Sequence, residues 1–379
     1  MSRAAPDLEF ALACAGVGHV RRGYETFVQA LFERLRGLAP VVLYKGAGPE
    51  TEDERPLACL RRTGVVGRAL GLVLQQKKVN DLETWTFGVS LARALGRRPA
   101  AVVYTPELRT ARALLARRGA LPPGQRPALV FHNGAPYPAR KLGPLDLVQQ
   151  LTGPAYDEAV AAGLDRSRLV PLPIDTDRFR PGDAAAARAA LGLPADRPVV
   201  LCAAAHEAFK RIDLLIDAVA DLPQALLVVA GHPGPETEAL RRRAAERLGE
   251  RVDFRSVPPD RMPELHRAAD VFALPSRKEG FGLVLTEAMA TGVPVVTQDD
   301  DTRRWLVGDA GVLVACDAPG ALRGALERLL GDPAERRRLG ALGRERVEAS
   351  FSWRALVPRY LELFEEARAL AAAGVEVVG

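Results

Sequence analysis

The chain has 379 residues, 48% hydrophobic and 26% charged, an ordinary globular composition that excludes wholesale disorder. Lys and Arg number 52 against 47 Asp and Glu, a net charge of +5, which suits small anionic ligands and is too dilute to argue for a nucleic-acid partner. The cysteines Cys14, Cys59, Cys202 and Cys316 lie far apart, so no disulfide framework, zinc site or other metal centre is expected and a cytoplasmic setting fits. No apolar run is long enough to span a bilayer.

At roughly 100–200 residues per domain, this length suggests two or three domains. The segment from Leu8 to Gly18 is read as a first strand and its turn rather than a signal peptide, because His19, Arg21 and Arg22 follow where a cleavage site would stand. From there to about residue 175, apolar runs at Phe10–Cys14, Pro40–Leu43, Ala100–Tyr104, Ala128–Phe131 and Leu145–Gln149 alternate with helical patterns at Tyr24–Leu38 and Glu107–Arg118. Residues 49–82 fit neither pattern. The proline-bearing stretch 171–194 reads as a junction, with a short helix over Asp183–Leu191.

A second alternation follows. Its strands are expected at Pro198–Ala203, Ala225–Ala230, Val252–Phe254, Val271–Leu274, Val293–Thr297 and Gly311–Val314. Helices are expected at Ile212–Asp221, Glu236–Leu248, Pro263–Ala269, Leu283–Thr291 and Ala318–Gly331, and a last one at Trp353–Ala372. Continuous apolar strands with helical crossovers are the pattern of buried parallel sheets. The expected architecture is α/β, with two doubly wound Rossmann-like domains (1–175 and 176–352) facing a central cleft. Residues 353–379 are expected to pack back on the first domain.

The segment Val271–Thr297 is the most informative. Its strand ends at Pro275, a polar loop runs through Glu279 to Gly282, and a helix carries Glu287. Gly280 and Gly282 permit close backbone approach to a ligand. The helix start presents free amides and a positive dipole end to an anion such as a pyrophosphate. Two carboxylates eight residues apart can hold different hydroxyls of one extended ligand.

Glu279-Gly280-Phe281-Gly282-Leu283, followed by Glu287-Ala288-Met289-Ala290 with Gly292, Pro294, Val295 and Val296, resembles the E-x7-E signature of retaining glycosyltransferases of the GT-B fold, family 4. The resemblance implies that Glu279 contacts donor-sugar hydroxyls, that Phe281, Gly282 and Leu283 approach sugar and phosphate through their backbone, and that Glu287 holds the ribose. Lys210 is similar to the family's phosphate-binding Lys, but the usual upstream Arg is absent. Ala204, Ala205 and His206 occupy its neighbourhood, and His206 is one candidate to compensate. Gly231 opens a turn near the expected nucleotide. In the first domain His132 is similar to a His that contacts donor sugar and acceptor. Gly16 is expected to let the backbone approach the phosphates, and His19, Arg21 and Arg22 are candidates for the acceptor side. The segment Val170–Pro181 is similar to the family's interdomain linker, with Pro173 where Gly is usual.

The resemblance implies transfer of a sugar from a UDP- or GDP-sugar to an acceptor hydroxyl with retention of anomeric configuration and without a metal. The nucleotide sugar is then a co-substrate, and the acceptor a small molecule, a glycan or a lipid-linked species. A sugar-nucleotide epimerase and a non-catalytic nucleotide-sugar-binding protein remain alternatives, the latter because of the missing Arg. A dinucleotide-dependent oxidoreductase fits poorly, since Gly16-Val17-Gly18-His19-Val20-Arg21 lacks the third glycine. The basic stretch Arg61–Lys78, interleaved with Leu70, Leu72 and Leu74, is either a solvated helix and loop or a patch touching the inner membrane face.

Overall fold

The computed structural model describes residues 9–20, 23–134, 137–143 and 145–373. The chain divides into two compact units. One draws on residues up to Leu151, 155–170 and those from Val357 onward; the other on Thr152–Pro154 and Pro171–Leu356.

The first unit holds a parallel sheet of seven strands: β1 (Glu9–Cys14), β2 (Val41–Lys45), β3 (Glu54–Pro56), β4 (Ala100–Thr105), β5 (Ala128–His132), β6 (Leu147–Gln150) and β7 (Ser167–Leu169), in the order β3-β2-β1-β4-β5-β6-β7. β2, β4, β5 and β6 are buried along their whole length, as both faces of a helix-covered parallel sheet require. β3 and β7 are short strands at the sheet edges, and neither has the apolar run by which a buried strand is recognised. β6 starts at Leu147, and just before it the Asp146 carboxylate accepts from Leu129 N and Arg118 Nη1 at 2.7 Å each. The stretch without a clear pattern holds the helix Val65–Val73 and the start of a second, Gln76–Leu95. The helix Trp353–Ala372 supplies Phe364 to this unit's core, its ring 5.6 Å from that of Phe10 and 5.4 Å from that of Tyr104.

The second unit holds a six-stranded parallel sheet: β8 (Val199–Ala203), β9 (Leu226–Ala230), β10 (Val252–Arg255), β11 (Val271–Leu274), β12 (Val295–Gln298) and β13 (Gly311–Val314), in the order β10-β9-β8-β11-β12-β13. The short helix Ala184–Leu191 is capped by Asp183, which accepts from the amides of Ala185 and Ala186, and it ends on Gly192 at φ 65°. A long helix, Pro333–Ser350, follows the sheet and has Asp332 accepting from Glu335 N at its start.

Strand order reverses between β1 and β4 in one unit and between β8 and β11 in the other. At such switch points the loops leaving adjacent parallel strands diverge and open a crevice at their carboxyl ends.

Phe364 is fully buried, so Phe364→Ala is expected to destabilise the first unit by about 3–5 kcal/mol. Urea unfolding followed by Trp fluorescence measures this, and an unchanged midpoint would show that the helix contributes nothing to that core.

Candidate functional site

At the switch point of the second unit, β8 delivers residues 204–211 and β11 delivers residues 275–282. The two loops are stitched together by Arg277 N donating to Phe209 O at 2.8 Å. Their side chains meet as an ion pair, with Lys210 Nζ 2.7 Å from Glu279 Oε1. The partners are only 16% and 12% exposed, so each charge depends on the other for compensation. The Lys210 ammonium also lies 5.1 Å from the centre of the Phe209 ring, a cation–π position.

Gly282 sits at φ 95° as the N-cap of the helix Leu283–Ala290, a left-handed conformation that favours glycine. Phe281 anchors the loop from below. It is buried, with its ring 5.8 Å from that of Phe351 and 6.4 Å from that of Trp305, which leaves backbone and not side chain at the helix entrance. Leu283 opens the helix, and Gly292 at φ 75° follows its end. Glu287 lies one turn in, its Oε2 3.4 Å from Nε2 of the fully buried His266.

His206 does not supply the missing positive charge. It is buried, its Nδ1 is 2.9 Å from Thr237 Oγ1, and burial and the Arg241 charge lower its pKa, favouring the neutral ring. Arg211, next to Lys210, turns away at φ 52° and pairs with Asp213 and Asp317. Gly231 is a glycine for an internal reason, since a side chain there would run into the Ala204 carbonyl.

In the first unit His132 ends β5 and is fully buried. Gln149 Nε2 donates to the Val170 carbonyl at 2.7 Å, which fixes its amide orientation. Gln149 Oε1 therefore faces Tyr104 Oη at 2.5 Å and His132 Nδ1 at 3.1 Å. The one Tyr104 hydroxyl proton goes to Gln149 Oε1, so the Tyr104 oxygen, 2.8 Å from Nδ1, is an acceptor too; Nδ1 carries the proton, and Nε2 keeps a lone pair with no partner. Phe27 stacks on the ring at 5.0 Å and Tyr24 stands edge-on at 5.7 Å. His132 was expected to face a ligand directly; instead these two rings enclose it, and contact through Nε2 requires Tyr24 to move aside. Burial lowers the His132 pKa to about 4.

Gly16 follows β1 with the Glu25 carboxylate where a side chain would go. Arg21 and Arg22 lie outside the described residues.

Three charged residues, Glu107, Glu83 and Arg303, are not singled out in the sequence, although His19, a candidate for the acceptor side, proves to be bound to one of them. Glu107 receives Ala15 N at 3.0 Å and the Thr110 hydroxyl at 2.8 Å, and burial raises its carboxyl to about 7. Glu83, fully buried, joins His19 Nε2 at 2.8 Å to Arg62. Arg303, also buried, pairs with Asp300 and donates to the Ser276 carbonyl at 2.6 Å, bracing the loop that carries Glu279. Glu107 alone left a trace in sequence, as an acid two residues after a buried strand. Glu83 reaches Arg62 and His19 across 21 and 64 positions, and Arg303 reaches the Ser276 carbonyl across 27. Among the described residues no group of three His, Cys, Asp or Glu side chains is placed to hold a metal ion.

Residues 183–346 match the family described as glycosyl transferases group 1. A D-inositol 3-phosphate glycosyltransferase of Nocardia farcinica is 38% identical over 224 residues, 55% of this chain and 49% of that protein. The protein of that name from Mycobacterium tuberculosis strain H37Ra is 35% identical over 268 residues, 65% of this chain and 54% of its own length. The chain thus spans about half the length of the curated relatives it matches. Among solved structures, sucrose-phosphate synthase from Thermosynechococcus elongatus superposes with a TM-score of 0.81 at 24% identity, covering 96% of this chain and 99% of that one. HepE of Anabaena, in complex with UDP and glucose, gives 0.75 at 17% identity, covering 95% and 100%. Together with the two parallel sheets, these likenesses show the GT-B fold with two Rossmann-like domains.

The lowered His132 pKa has a signed consequence. A His with a folded pKa near 4 and an unfolded value near 6.5 contributes stability that is present above pH 6.5 and lost as pH falls toward 4. His132→Gln is expected to shrink the stability difference between pH 7 and pH 4.5 by about 2 kcal/mol. Urea unfolding at both pH values checks this; an unaltered difference would mean that His132 is solvated and titrates normally.

Proposed function

We propose a reaction for this chain, a GT4-like protein whose residues 183–346 are those of the glycosyl transferases group 1: transfer of a sugar from a nucleotide-sugar donor to an acceptor hydroxyl with retention of anomeric configuration. The observation that carries the proposal is the Lys210–Glu279 pair at 2.7 Å, set at the switch point beside the start of the helix Leu283–Ala290. A cation and a helix N-terminus there suit a diphosphate, and the carboxylate next to them suits sugar hydroxyls.

In this reading the donor enters between the partners. Lys210 exchanges Glu279 for phosphate oxygens and offsets the charge that develops as the anomeric C–O bond breaks. Glu279 accepts hydrogen bonds from sugar hydroxyls and Glu287 from the ribose. The acceptor oxygen bonds to the anomeric carbon on the face the diphosphate leaves, and a diphosphate oxygen takes the acceptor proton, so the atoms balance without a separate protein base. Once Tyr24 moves aside, His132 accepts a hydrogen bond from an acceptor hydroxyl through Nε2. The anionic charge is met by Lys210 and backbone amides, with no metal required. The donor is a UDP- or GDP-sugar; the UDP found with HepE supports the uridine form. The reading places the work in the cytoplasm.

One observation favours a second reading, binding without turnover: Ala204 and Ala205 stand where a second cation is expected, and burial and the Arg241 charge push the His206 ring beside them toward its neutral form. Turnover decides between the two.

Lys210→Ala and Glu279→Ala are each expected to lower kcat by about 10²-fold or more while leaving the fold intact. Product NMR with a matched donor and acceptor is expected to show the donor's anomeric configuration. Near-normal turnover of both variants would remove their roles, an inverted product would remove the same-face mechanism, and donor binding with no product across a broad acceptor panel would establish the second reading.

A further inference from the structure

The helix Val65–Val73 packs the wrong way round for a protein surface. Its one buried residue is Gly67, set so close to the preceding loop that a side chain would strike the Arg61 carbonyl and the Arg62 backbone. Its large apolar side chains point outward: Val65 is 77% exposed, Val66 60%, Leu72 88% and Val73 85%. At 100° per residue, Val65, Val66, Ala69, Leu70, Leu72 and Val73 form a stripe roughly 160° wide, with Gly67 and Gly71 opposite. A helix folded only to serve a water-soluble surface buries such a stripe and exposes the opposite face. Here Gly67 lets the helix lie close on its own unit, and the apolar side chains face away from that contact.

The charges around it identify the occupant. Residues 56–80 contain five Arg and Lys and no Asp or Glu. Arg62 is taken by Glu83, while Arg61, Arg68, Lys77 and Lys78 are all exposed. An apolar stripe flanked by cations, without any acid, matches a bilayer surface carrying anionic headgroups, with the stripe at the acyl boundary and the cations at the phosphates. At nine residues the helix is about 13 Å long, far short of a bilayer core of about 30 Å, and no described helix is long and apolar enough to cross a membrane. It lies in the interface and does not cross it.

We propose that the helix Val65–Val73 is a membrane-docking element that holds this chain on anionic lipid surfaces. The proposal is independent of the sugar-transfer reading, because lipid binding is read without any reaction.

The test is flotation of the full chain with vesicles of phosphatidylcholine alone and of phosphatidylcholine with phosphatidylglycerol, alongside Leu72→Gln/Val73→Gln, Val65→Gln/Val66→Gln and Lys77→Gln/Lys78→Gln variants. All six positions are exposed, so circular dichroism is expected to match the parent. Binding is expected to anionic vesicles, to weaken as salt rises, to fall by roughly tenfold or more in either apolar variant, and to fall by roughly fivefold per lysine removed. Absence of binding, or binding that both apolar variants retain, overturns the proposal. Light scattering without lipid that shows a dimer abolished by Leu72→Gln/Val73→Gln overturns it too, by assigning the stripe to a second copy of the chain.

Discussion

The ion pair between Lys210 and Glu279 is the constraint around which the second unit is arranged. Neither residue reaches the other through sequence proximity; they are 69 positions apart. They meet because β8 and β11 are neighbours in a parallel sheet and their following loops leave the same edge at the point where strand order reverses. The Arg277–Phe209 backbone bond and the Arg303 guanidinium on the Ser276 carbonyl then fix the two loops. A half-buried pair of opposite charges is expensive to separate and inexpensive to re-partner. That is what a site needs if it is to exchange an internal carboxylate for the phosphates of a ligand.

The first unit follows the same logic with the charges reversed. At its switch point the buried Glu107 carboxylate holds Ala15 N, just ahead of Gly16, and Glu83 ties His19 to Arg62. In the second unit the edge carries a half-buried basic side chain, whereas in the first Glu107, Glu83 and His132 are all engaged with their neighbours, Glu83 and His132 from fully buried positions.

Much of this could be read from the residues. Strands buried on both faces announce themselves as apolar runs, so Val271–Leu274 and Gly311–Val314 are found where the pattern puts them, and the helix from Ile212 starts as expected. Glu279, Gly282 and Glu287 were visible because one loop and one helix carry them within nine residues. What escaped depended on tertiary pairing. β3 and β7 are edge strands of three residues with mixed polarity. The helix Val65–Val73 carries Gly67 and Gly71 and no cap signal, so neither propensity nor capping declares it. The position of His132 could be read, but its enclosure could not, because Phe27 and Tyr24 approach it from a helix more than a hundred residues earlier. His206 looked available as a cation until Thr237 and Phe254 were seen around it.

The central claim is spatial: Lys210, Glu279 and the amides opening the helix at Leu283 receive one nucleotide sugar. A crystal structure of the full chain with a bound UDP-sugar or GDP-sugar tests it most directly. The account predicts the distal phosphate within hydrogen-bonding distance of Lys210 Nζ, a sugar hydroxyl on Glu279 and the ribose on Glu287. A nucleotide bound elsewhere, with the Lys210–Glu279 pair still closed, would contradict it.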